Sequence, residues 1–148
     1  MSYDVDQIAG AIAGALENLS ADGVGVQAVA AIPSNPTPSG VYVSDGAFDY
    51  DVANARGLDE FELIVTLLVG YGADLAAQRR LRKLRDGDAG VKALIEGVPN
   101  ADGYPDKTLG GLVDHVRVTK ASAPRLYGPE SAKRPLGVEF TVQIRATP

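Results

Sequence analysis

The chain's one histidine, His115, sits in Val-Asp-His-Val-Arg-Val beside the carboxyl of Asp114. An imidazole next to a carboxylate is the raw material of general-base chemistry. Consecutive side chains on a strand point to opposite faces, however, so Asp114 cannot orient the ring from the adjacent position. His115 is expected instead on the wet face of a strand, together with Val113, Arg117 and Thr119. Asp45, Asp49 and Asp51 offer the oxygen ligands that hard cations take. They lack the glycine turn and terminal bidentate Glu of a calcium loop, and read as a solvated loop. Gly110-Gly111 follows Thr108-Leu109, but no Gly-Lys-Ser/Thr comes after it, so a turn feeding a strand is expected in place of a phosphate cradle. These residues assign no catalytic group, no metal ligand set and no cofactor.

Two segments have the chemistry of contact instead. Arg79, Arg80, Arg82, Lys83 and Arg85 form the one concentrated basic run. Placed in the C-terminal half of a helix, they are accounted for by the helix dipole and by solvation. The stretch from Ser122 to Pro135 holds Arg125, Tyr127, Lys133 and Arg134 between Pro124, Pro129 and Pro135. A hairpin connection this long is usually functional or disordered. Tyrosine and arginine are common interface anchors, and proline limits the entropy lost on ordering an arm. These four, with Arg56 and Tyr50 from the polar stretch before the central strand, are the candidate subunit or partner interface.

Composition narrows the rest. There are 148 residues, no cysteine, and 14 Lys+Arg against 19 Asp+Glu, a formal charge of −5. A chain of this length buries roughly 68–70% of its unfolded surface, enough for one core without staples. Thiolate chemistry and a structural zinc site lack their ligands. A pI near 4.8 argues against a surface that wraps nucleic acid, which depends on clustered Lys and Arg. Zero cysteine fits a reducing compartment. The apolar run from Ile8 to Leu16 follows Asp4 and Asp6, and is far short of the roughly 20 residues that span a bilayer, so no membrane or signal segment is expected.

Hydrophobic spacing predicts the elements that carry these residues. A helix is expected over Val5 to Leu19, opened by a capping box of Asp4 and Gln7. Its Gly10 and Gly14 suggest close approach to a neighbour. A weak strand over Val24 to Val29, a Pro-rich break and extended Val41-Tyr42-Val43 come next. Ser44 to Gly57 reads as turn-rich, with turns at Asp45-Gly46 and Arg56-Gly57. Glu60 to Gly70 is the central strand, ended by Gly70 and Gly72. Helices follow over Leu75 to Arg85, capped by Asp74, and over Val91 to Ile95, capped by Asp88. Leu112 to Ala121 and Leu136 to Ala146 form a long antiparallel pair, the second strand alternating strictly between apolar and polar residues. The expected fold class is α+β: a single domain, 1–148, whose mostly antiparallel sheet carries its helices on one face.

Several stretches, in order along most of the chain, resemble the small tail terminator, or tail-to-head joining, proteins of long-tailed bacteriophages with non-contractile tails. They are Ile32 to Pro38 with Val41-Tyr-Val, Tyr50 to Gly57 leading into Leu63-Ile-Val-Thr-Leu-Leu-Val-Gly, Asp74 to Leu84, and Val91-Lys-Ala-Leu. Thr108-Leu-Gly-Gly-Leu-Val-Asp-His-Val-Arg-Val-Thr and Leu136-Gly-Val-Glu-Phe-Thr-Val complete the set. Val98 to Lys107 and the tip Pro129 to Arg134 look longer than the family pattern. The resemblance implies the protomer of a homo-hexameric ring that closes the finished tail tube and ends its polymerisation. Such a ring meets the major tail tube protein on one side and head-tail connector or neck proteins on the other. Genomic double-stranded DNA passes through it without sequence preference. It also implies a virion protein of the tail-neck junction, made in the host cytoplasm, with neither enzymatic activity nor cofactor. An acidic subunit suits such a conduit, since carboxylates facing a lumen repel phosphates. The alternatives are a head-tail connector or stopper ring, a small α+β ligand-binding module with a pocket of convergent polar groups, and a hydrolase built on Asp and His115.

Overall fold

The computed structural model describes residues 3–17, 19–21, 24–25, 27–30, 39–50, 58–71, 75–86, 90–127 and 134–147. Its elements are α1 (Val5–Leu16), β1 (Ser20–Ala21), β2 (Val24–Gly25), β3 (Gln27–Val29), β4 (Ser39–Asp49) and β5 (Asp59–Tyr71). They continue with α2 (Leu75–Arg85), α3 (Val91–Glu96), β6 (His115–Ala121), β7 (Arg125–Leu126) and β8 (Pro135–Ala146).

Alternation builds the sheet. β5 places Phe61, Leu63, Val65, Leu67 and Val69 on one face, all buried, and is flanked by β4 and β8, both antiparallel to it. The six-stranded sheet runs β3-β4-β5-β8-β6, with β7 also on β8; only β3 is parallel to its neighbour. β1 and β2 form a separate small pair. All three helices send side chains into the core cluster that holds that face of β5, so the helices lie on one face of an α+β sheet, as the pattern predicts. In α1, Ile8, Ile12 and Leu16 recur every fourth residue and are buried. Each such side chain contributes about 1.5–3 kcal/mol of transfer free energy. No helix of the described residues is long and apolar enough to cross a membrane.

Several local expectations are corrected. α1 stops at Leu16, although Leu19 is buried beyond it. Its Asp4 cap accepts from the N–H of Asp6 at 3.0 Å. Gly10 and Gly14 face open space, with no neighbouring atom within reach of a Cβ. The segment 24–29 is two short strands instead of one. Asp45-Gly46 is not a turn: β4 runs on to Asp49 through a bulge between Asp45 and Phe48. There a Cβ on Gly46 would come within 2.9 Å of the Glu62 carbonyl oxygen, so this backbone approach needs glycine. β5 continues one residue past Gly70, and the residue that caps α3 is Gly90. β6 begins at His115 instead of Leu112, and Val113 is a buried core residue off the strand's wet face. Asp74, Asp88, Gly72 and Arg56-Gly57 lie outside the described residues.

The described start of the 122–135 connection is not free loop. Arg125 and Leu126 pair with Gly137 and Leu136, and the Tyr127 N–H donates to the Pro135 carbonyl at 2.9 Å. Backbone pairing on β8 thus satisfies groups that a free loop would leave to water.

Candidate partner surface

With the helices on one side, the other face of the sheet is built from the polar phase of each strand. Its rows run across the strands in register. Glu60, Arg145 and His115 make one; Glu62, Gln143 and Arg117 the next; then Ser44, Ile64, Thr141 and Lys120. Tyr42, Thr66 and Glu139 follow, and Leu68, Gly137 and Arg125 close the face at the end where β5 finishes. Charges of both signs sit on it. Arg145 donates to Glu60 at 3.1 Å, and Gln143 donates to the same carboxylate. Half-buried Ile64, with buried Tyr42 and Leu68, gives it apolar ground that does not belong to the main core.

Two of the predicted interface residues converge at the Gly137 end. The Arg125 guanidinium lies 4.5 Å from the Tyr127 ring centroid, a cation–π arrangement, and donates to Glu139 at 2.9 Å. Glu139 is fixed in turn, because its N–H donates to Ser122 Oγ and its carbonyl accepts from the Ser122 N–H. The Tyr127 ring fits only because Gly137 has no side chain: a Cβ there would stand 2.8 Å from the ring, and 2.6 Å from both the Leu67 carbonyl oxygen and the Leu68 side chain. The Tyr127 hydroxyl oxygen is buried and has no hydrogen-bond partner among the described residues. Burial raises its pKa; the neighbouring Arg125 guanidinium opposes this and the Glu139 carboxylate adds to it, with burial prevailing. Such orphaned groups are uncommon because each costs the desolvation of a polar atom.

The other candidates fall elsewhere. Tyr50 is 68% exposed at the far end of the sheet, stacked on Phe48, which stacks on Phe61, which stacks on Tyr3. Glu60 and Leu68, eight residues apart on β5, mark the two ends, a span of about 27 Å at the rise of a strand. Tyr50 and the Arg125–Tyr127 pair therefore form two separate patches. Arg134 is half-buried just before β8; Lys133 and Arg56 lie outside the described residues. His115 is exposed on the open face, and the Asp114 carboxylate accepts from Thr147 Oγ1 at 2.5 Å. Asp45 and Asp49 sit in β4, on strand and not loop, and Asp51 is outside the described residues. No three His, Cys, Asp or Glu side chains among the described residues come close enough to share a metal ion. In the basic run, Arg80 donates to the Val69 carbonyl at 3.1 Å and Arg85 pairs with Asp86 at 2.9 Å.

Compared with known proteins, the chain matches no family model, and no curated protein is similar to it in sequence. Glu139 was not among the residues singled out from sequence. Its alternation with apolar neighbours marks a polar face but says nothing of Arg125 across the ladder.

Proposed function

We propose that the chain is the protomer of a homo-hexameric ring that caps the completed tail tube of a long-tailed phage and joins it to the neck of the head. The observation that carries this reading is the pair of separated patches on one protomer. Arg125 and Tyr127 lie at one end of the sheet, and exposed Tyr50 stands at the other. A ring of identical subunits needs two different surfaces on each copy, because its contacts are head-to-tail. Arg and Tyr are among the residues most enriched as interface anchors. The in-order sequence resemblance to tail terminators supplies the identity of the ring. In that role the tube protein is bound on one side and neck proteins on the other, and the net charge of −5 favours passage of DNA without retention.

Deletion of the chain from the phage that encodes it tests the assignment. A terminator predicts overgrown tails that fail to join heads. Tails of normal length beside filled or leaking heads would assign the chain to the head-tail connector or stopper position instead.

A further inference from the structure

The C-terminal half of α2 and the β6 edge enclose a groove whose charge opposes that of the chain. Two adjoining hollows of about 440 and 620 Å³ meet at Arg85, within the range of about 300–1,000 Å³ of ordinary binding pockets. Arg82, Arg85, Lys92, Arg117 and Lys120 line them, and Asp86 is the one carboxylate of the lining among the described residues. Arg85 already pairs with Asp86, and Lys92 with Glu96. Arg117 and Lys120 are exposed and make no ion pair with the described residues. Leu81, Leu136 and Phe140 give the groove an apolar floor. A concave site with such a floor suits an acidic segment with an aromatic side chain better than a duplex, whose protein interfaces are polar.

The chain displays such a segment. Tyr104 is 70% exposed between Asp102 and Asp106, on a loop held by its own bonds. Pro99 bridges to Pro105. The Asn100 N–H donates to the Tyr104 carbonyl at 2.8 Å, and Asn100 Oδ1 accepts from the N–H groups of Asp102 and Tyr104 at 2.9 and 3.1 Å. Asn100 Nδ2 donates to Asp106 at 3.1 Å. A loop already ordered loses little entropy on docking, and tyrosine is a leading hot-spot residue. The loop also lies where repetition is possible. Lys107, next to it, accepts from Val116 at the start of β6, and the groove wall follows from Arg117 to Ala121 along the rest of that strand.

We propose that the Tyr104 loop of one copy docks in the basic groove of the next, phenol toward the apolar floor and Asp102 and Asp106 toward Arg117 and Lys120. Loop and groove are two different surfaces on each copy, so the contact repeats from copy to copy, the heterologous geometry that closes into rings. This inference rests on the ring reading above and names one of its contacts.

The test is self-association of the full chain by sedimentation velocity, with Tyr104→Ala, Asp102→Lys, Lys120→Glu and the double variant Asp102→Lys/Lys120→Glu. All three side chains are exposed, so unfolding midpoints should match the parent. Each single change is expected to weaken association about tenfold or more, and the double charge swap to restore most of the loss. Single variants that associate like the parent, a double no better than either single, or a parent chain that stays monomeric at every concentration would each overturn the contact. Tail length separates this from the ring reading. Phage carrying Tyr104→Ala with capped tails of normal length would overturn the contact and leave the ring standing, whereas normal tails after loss of the whole chain would remove the tail-terminator reading itself.

Discussion

Gly137 controls how close β8, β5 and the Tyr127 ring come together, because three different groups lie within 2.8 Å of where its Cβ would be. Two of them are a backbone carbonyl and a packed leucine, neither free to move. Gly137→Ala is therefore expected to cost about 1–3 kcal/mol of stability, the usual penalty of overpacking, read as a lower urea midpoint at unchanged slope. A second residue-scale effect belongs to Tyr3, whose hydroxyl donates to buried Asp59 at 2.7 Å. Burial first, then the hydrogen bond and charge of Asp59, push its pKa from 10.0 to about 12. The folded value lies above the unfolded one, so this contribution is complete below pH 10 and disappears as pH rises through 12. Alkaline unfolding followed between those values should be shallower in Tyr3→Phe than in the parent; identical curves would remove Tyr3 as its source.

At the scale of elements, α3 closes an edge that β6 would leave open. Val118 directs its N–H and carbonyl away from β8; Glu96 accepts the N–H at 2.9 Å and Lys92 donates to the carbonyl at 3.2 Å. Val116 is satisfied by the Lys107 carbonyl at 2.8 Å. Unpaired edges template aggregation, and covering them with a helix is a common remedy. Burial alone would raise the pKa of Glu96. The bonds from Lys92 and Val118, with the charges of Lys92 and Lys107, outweigh burial and lower it below 4.5. The resulting stabilisation is present above pH 4.5 and is lost as pH falls through the lowered folded value. Glu96→Gln should cost about 1–3 kcal/mol at pH 7 and flatten the acid limb of the stability curve. Glu96→Ala, which frees the edge, should also increase aggregation, measured by light scattering at equal folded fraction.

At the scale of the molecule, one face of the sheet is spent on the core, and the other presents polar side chains around buried Tyr42 and Leu68. If the Arg125–Tyr127 end is a subunit contact, Arg125→Glu should abolish ring assembly, since it reverses the charge beside Glu139, while shifting subunit stability only within a small limit. That limit follows because the Arg125–Glu139 pair is solvent-exposed. Electron microscopy of assembled particles, paired with thermal unfolding of the free subunit, reads both. Normal rings from a normally folded variant would exclude this end from the contact.

The sequence by itself determined the helices, the central position of β5 and the alternating face of β8, because these follow from local periodicity and from the burial it requires. It also put His115 on a polar face, since a period of two decides which side chains share a surface. Other features depended on groups distant in the chain. Asp45-Gly46 reads as a turn until Glu62 is seen to press on Gly46, and Ser122 to Tyr127 reads as loop until β8 supplies hydrogen bonds to it. Glu96 looks like the exposed end of a short helix, yet it caps a strand 22 residues away. Tertiary structure alone decided these, because a backbone group goes to whichever partner folding brings within reach, and neither composition nor spacing names that partner.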